Sequence, residues 1–375
     1  MASKINIISP MNNENETLFF NIKSLDKRTS VTKDSIWSDH DQINFFVKTN
    51  EKWLNLPIID LEVMKGSDEA AIAAAAEIVR DACMRHGFFL VSNHGVDQNL
   101  IKDTYQKFDN IFKLPLIRKV GSMRHPWGYS GAHAWQFSSK LPWKEAFTFQ
   151  YKHCDESESQ IVDFFKSVLG DDHQHAGLVC QKYCDAMKEL SGVILELLAI
   201  SLGVDRLYYK KFFKDAETMM RCNSYPCDGF QAGTLGTGPH SDPTSVTILY
   251  QDQVGGLEVF VDNKWLAIPP QPNTFAINIG DTFMALTNGI YKSCLHRVLP
   301  NKEETGIKTL AFLLSPKADK IVRAPNNLLG REEARKYPDF TWSQFFEFTQ
   351  KQYKAGPDTL PKFISWLCSF NPSKI

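Results

Sequence analysis

His240, Ser241 and Asp242 follow a glycine-rich stretch, GTLGTGP, and precede the apolar run SVTILY. An imidazole and a carboxylate two residues apart share one face of an extended backbone, so the two side chains can converge on one point. A third candidate, His296, lies inside the later run KSCLHRVL, where a neighbouring strand would bring it alongside. Two histidines and one carboxylate on one side of an octahedral ion leave three positions open, the arrangement of non-haem Fe(II) oxygenases. Zinc enzymes also use two histidines and a carboxylate, so the three residues alone leave both metals open.

Such a site needs a scaffold of strands. From Thr218 onward the chain consists of short β-rich runs split by Gly, Pro, Asn and Asp: MMRCNSY, SVTILYQ, LEVFV, WLAI, TFAINI, MALT, KSCLHRVL and TLAFLL. Short strands at this spacing predict a jelly roll, a double-stranded β-helix. Before it, PIIDL reads as a strand, 68–85 as a helix stopped at Gly87, FFLVS as a buried strand and 99–112 as a second helix. Residues 174–203 carry the longest helical pattern, with Leu190, Val193, Ile194, Leu197 and Leu198 on one side, and this helix is expected to support the sheet. The fold class is α+β. The chain divides into an N-terminal arm (1–50), a helical N-terminal region (51–210), a jelly-roll core (211–320) and a C-terminal helical segment (321–375).

The chain has 375 residues, 43% hydrophobic and 12% aromatic, enough to bury a sizeable core. Lys and Arg (42) nearly balance Asp and Glu (43), so no basic field attracts nucleic acid or an anionic membrane. The first twenty residues lack the apolar centre of a signal peptide, and no apolar stretch is long enough to span a bilayer. The expectation is a soluble, cytoplasmic monomer acting on a small molecule. Eight cysteines without CxxC spacing read as reduced thiols, with Cys180 and Cys184 packing in a core.

Several blocks spread over the chain after residue 55 resemble a known family: HGFFLVSNHGV, FSSKLPWKE, LGTGPHSDPTSVTIL, QDQVGGLEVFVD, NIGDTFMAL, YKSCLHR and YPDFTW. The sequence is similar to the plant 2-oxoglutarate-dependent dioxygenases, and among them to the gibberellin 20-oxidases. The resemblance implies Fe(II) on His240, Asp242 and His296, 2-oxoglutarate as co-substrate, O2 as oxidant, and ascorbate to keep the iron reduced. It also implies that Asn223 and Tyr225, in NSY, and Thr309 line the co-substrate site.

The resemblance also exposes a departure. Where the family carries Arg-x-Ser to grip the distal carboxylate of 2-oxoglutarate, this chain reads Ile307-Lys308-Thr309. Arginine satisfies both carboxylate oxygens at once, and an unpaired buried carboxylate costs roughly 3 to 5 kcal/mol. If the strand is regular, Lys308 points to the opposite face and is a solvated surface lysine. If the loop NKEETGIK forms a bulge, Lys308 turns inward and supplies the charge. Trp143 and Lys144, in LPWKE, match a segment associated with gibberellin recognition, with Lys144 pairing to a substrate carboxylate or remaining solvated. Arg297 and His94 read as structural residues, and His173 and His175 as a solvated helix start.

The function implied is Fe(II)- and 2-oxoglutarate-dependent oxidation of a gibberellin-type diterpenoid acid at C-20. Two alternatives stay open: a divergent dioxygenase acting on another plant metabolite, and an iron-binding homologue with weakened or lost 2-oxoglutarate turnover.

Overall fold

The computed structural model of the chain describes residues 53–122, 126–131, 144–153, 160–225, 235–299, 307–329, 335–352 and 358–370. The arm expected over 1–50 and Trp143 lie outside them. The strands are β1 (Ile58–Asp60), β2 (Phe88–Ser92), β3 (Gly128–Ser130), β4 (Glu145–Lys152), β5 (Glu217–Tyr225), β6 (Thr237–His240), β7 (Val246–Gln251), β8 (Leu257–Val261), β9 (Lys264–Ala267), β10 (Phe275–Ile279), β11 (His296–Val298), β12 (Ile307–Ser315), β13 (Ile321–Val322) and β14 (Phe340–Thr341). The helices are α1 (Glu69–Arg85), α2 (Gln98–Phe112), α3 (Leu116–Gly121), α4 (Gln160–Leu169), α5 (Gln174–Ser201), α6 (Tyr208–Phe212), α7 (Asp281–Leu286), α8 (Trp342–Gln352) and α9 (Thr359–Phe370).

Eight strands form one sheet in the order β1-β2-β10-β7-β12-β5-β4-β3, and four form a second in the order β6-β11-β8-β9. Side-chain alternation assigns the faces. Phe89 and Val91 of β2, and Phe275, Ile277 and Ile279 of β10, join the helices in one large core, while Phe88, Leu90 and Ala276 meet Leu257 and Val259 of β8 in a second. The large sheet is thus covered by helices outside and by the small sheet inside, giving the jelly roll expected from the sequence. α5 supplies the outer support, burying Leu190, Ile194, Leu197 and Leu198. Cys180 and Cys184 of that helix are buried in the same core.

Helix ends follow local chemistry. Asp68 caps α1 by accepting from the Ala70 and Ala71 amides, and Asp97 caps α2 by accepting from the Asn99 amide. Two elements differ from the sequence expectation. MALT is the end of helix α7 rather than a strand, because Met, Ala and Leu favour helix and so short a run carries no period. EAFTFQYK, which the sequence reading assigns to no element, is strand β4, and α2 and α4 pack on it through Phe108, Phe147, Phe149 and Phe165.

Two buried histidines make the fold acid-sensitive. Burial, with the nearby Arg85 and Lys292 charges, pushes His86 down to about 4, and burial with Lys188 does the same to His153. His86 Nδ1 accepts from the Phe88 amide at 3.3 Å, and His153 Nε2 lies 3.0 Å from the Thr218 hydroxyl. Because both values fall below the unfolded value near 6.5, the neutral rings stabilise the fold fully above about pH 6.5. That contribution, up to about 3 kcal/mol per ring, is lost as the pH falls toward 4. Chemical-denaturation midpoints measured from pH 7 to 4 are expected to decline, and His86→Gln/His153→Gln to flatten the decline; equal slopes in both proteins would contradict the assignment.

Candidate metal centre

His240 ends β6 and His296 begins β11, and the two stand directly opposite each other in the antiparallel register of the small sheet. Their rings lie 4.2 Å apart between centroids. Asp242 is not on a strand: it sits in the turn between β6 and β7, so its approach to His240 comes from that turn rather than from alternation. The turn is pinned from NIGDT. The Asp281 amide donates to the Asp242 carbonyl and the Gly280 amide to the Ser245 carbonyl, both at 2.8 Å. Gly280 has to be glycine, since a Cβ there would sit 2.1 Å from the Thr244 carbonyl oxygen.

Asp242 Oδ1 lies 3.6 Å from Nε2 of His240 and 3.6 Å from Nε2 of His296. Both separations are shorter than two metal–ligand bonds of about 2.1 Å, so the pairs can share one ion. The remaining atoms are committed elsewhere. His240 Nδ1 donates to the Gly238 carbonyl at 2.9 Å and His296 Nδ1 to the Cys294 carbonyl at 3.3 Å, leaving both Nε2 lone pairs directed at the site. Asp242 Oδ2 accepts from Thr247 Oγ1 at 2.6 Å and Asn278 Nδ2 at 3.1 Å.

Electrostatics favour the forms of His240 and Asp242 that can bind a metal. Burial and the neighbouring His296 push His240 down to about 3. Burial alone would raise Asp242, but His296, His240 and the hydrogen bonds from Thr247 and Asn278 outweigh it and hold the carboxyl below its usual value. Among the described residues these three are the group able to hold a metal ion. Phe88 packs edge-on to His296 at 5.7 Å and closes one side against water.

The residues expected to line the co-substrate site gather beside this centre. β5 and β12 run antiparallel with Tyr225 opposite Ile307 and Asn223 opposite Thr309. Asn223 Nδ2 donates to Thr309 Oγ1 at 3.0 Å, and Tyr225 Oη lies 3.1 Å from Thr237 Oγ1. Burial, partly offset by the Thr237 and Thr309 hydrogen bonds, pushes Tyr225 up to about 12, so it is a neutral hydroxyl. Asn223 Oδ1 and Gln251 Oε1 are buried with no hydrogen-bond partner among the described residues, which suits a wall that takes a polar ligand.

Lys308 does not join them. β12 pairs with β5 without a break from Ile307 to Ser315, so the bulge that would turn Lys308 inward is absent. Its side chain lies on the helix-covered face and pairs with Asp109 of α2 at 2.6 Å. Lys144 does join them: it is buried, and its ammonium donates to Thr237 Oγ1 at 3.1 Å. Burial and the Arg221 charge push it down to about 7, against the pull of Asp242.

Thr237, Thr247, Asn278, Gly280 and Arg221 carry no metal-ligand signature and are not singled out by the sequence reading, although most lie in or beside the blocks that carry the family resemblance. Arg297 faces away, pairing with Glu258 at 2.6 Å and lying over Trp265. His94 accepts from the Val96 amide at 3.1 Å and packs on Phe275.

Residues 216–316 match the 2OG-Fe(II) oxygenase superfamily, and residues 56–166 match the N-terminal region described as non-haem dioxygenase in morphine synthesis. The chain belongs to the 2OG-Fe(II) oxygenases and is a 2-oxoglutarate-dependent dioxygenase that uses iron. More particularly, it is 45% identical to gibberellin 20 oxidase 3 of Arabidopsis thaliana, over 98% of this chain and 97% of that one. It is 48% identical to gibberellin 20 oxidase 2 of Oryza sativa subsp. indica, over 84% and 80%. Among solved structures, it matches JOX2 in complex with 2OG, Fe and JA with a TM-score of 0.74 at 26% identity, covering 92% of this chain and 98% of that one. It matches the rice dioxygenase for auxin oxidation with a TM-score of 0.66 at 28% identity, covering 82% and 99%.

Orientation of Asp242 by Thr247 carries a measurable consequence. Thr247→Val is expected to weaken Fe(II) affinity about 10- to 100-fold while leaving the helical circular-dichroism signal unchanged. Unaltered metal affinity would show that the Thr247 hydrogen bond does not direct the carboxylate.

Proposed function

We propose that this protein oxidises a gibberellin-type diterpenoid carboxylic acid at C-20, consuming 2-oxoglutarate and O2. The reading is carried by the triad of one Asp242 oxygen 3.6 Å from each of two imidazole nitrogens. Similarity to gibberellin 20 oxidases along nearly the whole chain supports the substrate class.

His240, Asp242 and His296 would hold Fe(II), which when bound supplies O2 activation coupled to oxidative decarboxylation of 2-oxoglutarate. The chain's own residues do the rest. Asn223, Tyr225, Thr237 and Thr309 form the polar wall that orients the co-substrate beside the metal. Tyr225, held protonated, offers a hydroxyl to a carboxylate rather than a competing charge. Thr247 and Asn278 fix the carboxylate of Asp242 so that one oxygen stays directed at the metal. Phe88 and the Leu90–Val259 core between the sheets keep bulk water from the histidine side.

Among the described residues no helix is long and apolar enough to cross a membrane. We further propose a monomer, since one chain supplies all three ligands. Buried free thiols at Cys83, Cys180, Cys184 and Cys222 support a reducing compartment, the cytoplasm. Isoleucine at position 307 favours one second reading, an iron-binding homologue with weakened 2-oxoglutarate turnover.

Succinate release and O2 uptake, measured with and without a C20 gibberellin precursor, decide between them. Coupled stoichiometric succinate and oxidised gibberellin are expected, with His296→Ala abolishing both. Succinate without gibberellin product would assign a different substrate, and no succinate even at high 2-oxoglutarate would leave the iron-binding reading.

A further inference from the structure

The register of the large sheet places three positions in one row across neighbouring strands. Ile307 of β12 faces Tyr225 of β5. On the other side of β5, Glu145 of β4 faces Ser224, so Lys144, the residue before it, falls beside Tyr225. Neighbours in a row share a face of the sheet, and the hydrogen bonds agree: Lys144 and Tyr225 both reach Thr237 Oγ1, each at 3.1 Å. Position 307, where the resemblance places an arginine, is one end of this row by register. In this chain the row has a cation at the other end instead.

Lys144 is built into that place. Its neighbour Glu145 points to the opposite face, where it is buried with Lys119 and accepts from Tyr129 Oη at 2.6 Å. That buried pair anchors the start of β4. Lys144 itself is 6% exposed and forms no ion pair among the described residues. The negative charge that favours its ammonium, Asp242, is the metal-site carboxylate, and burial with Arg221 depresses Lys144 to about 7 against that pull, so the buried ammonium is costly unless a further anion comes to it. Arg221, four residues before Tyr225 on β5, is half-buried and directs its Nε to Thr148 Oγ1 at 3.2 Å. Lys308, the other cation near Thr309 in sequence, is spent on Asp109.

Resting on the proposed co-substrate use, we infer that Lys144 holds the distal carboxylate of 2-oxoglutarate, together with Tyr225 and Thr309, so that the anion anchor has moved from β12 to the start of β4. The shared chemistry is a carboxylate beside the metal. The 2-oxoglutarate assignment is favoured over a substrate carboxylate because Lys144 hydrogen-bonds the same threonine as Tyr225 and stands across it from position 307.

The test is anaerobic calorimetric titration of the full-length Fe(II)-loaded chain with 2-oxoglutarate, and with pyruvate, which lacks the distal carboxylate. Lys144→Met is expected to weaken 2-oxoglutarate about a hundredfold and leave pyruvate unchanged. Lys144→Arg is expected to retain binding, and Ile307→Arg added to Lys144→Met to recover most of it. The inference is overturned if Lys144→Met leaves 2-oxoglutarate affinity intact, if it weakens both acids equally, or if it raises only the KM for the gibberellin precursor. Absence of 2-oxoglutarate binding in the unaltered chain would remove the co-substrate reading and this inference with it; tight binding indifferent to Lys144 would remove the inference alone.

Discussion

The site depends on how the two oxygens of Asp242 are divided. A carboxylate this deeply buried is tolerated only when its lone pairs are used, and here two donors take one oxygen while two imidazoles face the other. Thr247 and Asn278 belong to β7 and β10 and stand opposite each other in register. The histidines belong to β6 and β11 of the other sheet. Asp242 therefore ties the two sheets together: the small sheet presents the nitrogens and the large sheet aims the carboxylate. Loosening either sheet would move ligands relative to one another, which explains why Gly280 and Asp281 clamp the turn so closely.

Alternation in the large sheet then decides what the site contains. Met220 and Cys222 of β5, and Leu310, Phe312 and Leu314 of β12, face the helices. Their neighbours Arg221, Asn223, Tyr225 and Thr309 must face inward. The same rule sends Lys308 outward to α2 and Thr309 inward to Asn223. One residue of slip would exchange a polar wall for an apolar one, so the extensive helix packing outside, led by α5, also enforces the chemistry inside.

The three candidate ligands were legible in the sequence because metal chemistry restricts residue type, and HxD followed by a distant histidine on β-rich runs narrows the choices. The jelly roll and the long supporting helix were legible from periodicity and turn residues. Less accessible was anything set by register. Whether Lys308 lay in or out turned on a bulge that no composition rule decides, and unbroken pairing from Ile307 onward settled the direction of its side chain. Strand β4 was hidden because it is buried on both faces over most of its length and so lacks alternation. Thr247 and Asn278 were hidden because orienting a ligand requires only a hydrogen-bond donor at the right place, which many residue types supply.

Charge balance links the metal centre to the inner wall. A divalent ion held by Asp242 and two neutral imidazoles would leave one positive charge in a buried space, and a protonated Lys144 would add a second. 2-Oxoglutarate is a dianion, so one carboxylate can answer each. Burial and the Arg221 charge depress Lys144 to about 7, so its charged form is favoured by an arriving carboxylate rather than carried unpaired. An arginine, by contrast, is charged at every physiological pH. Losing the arginine position at 307 therefore need not weaken the site's preference for a dianion; it changes which wall of the barrel supplies the second charge.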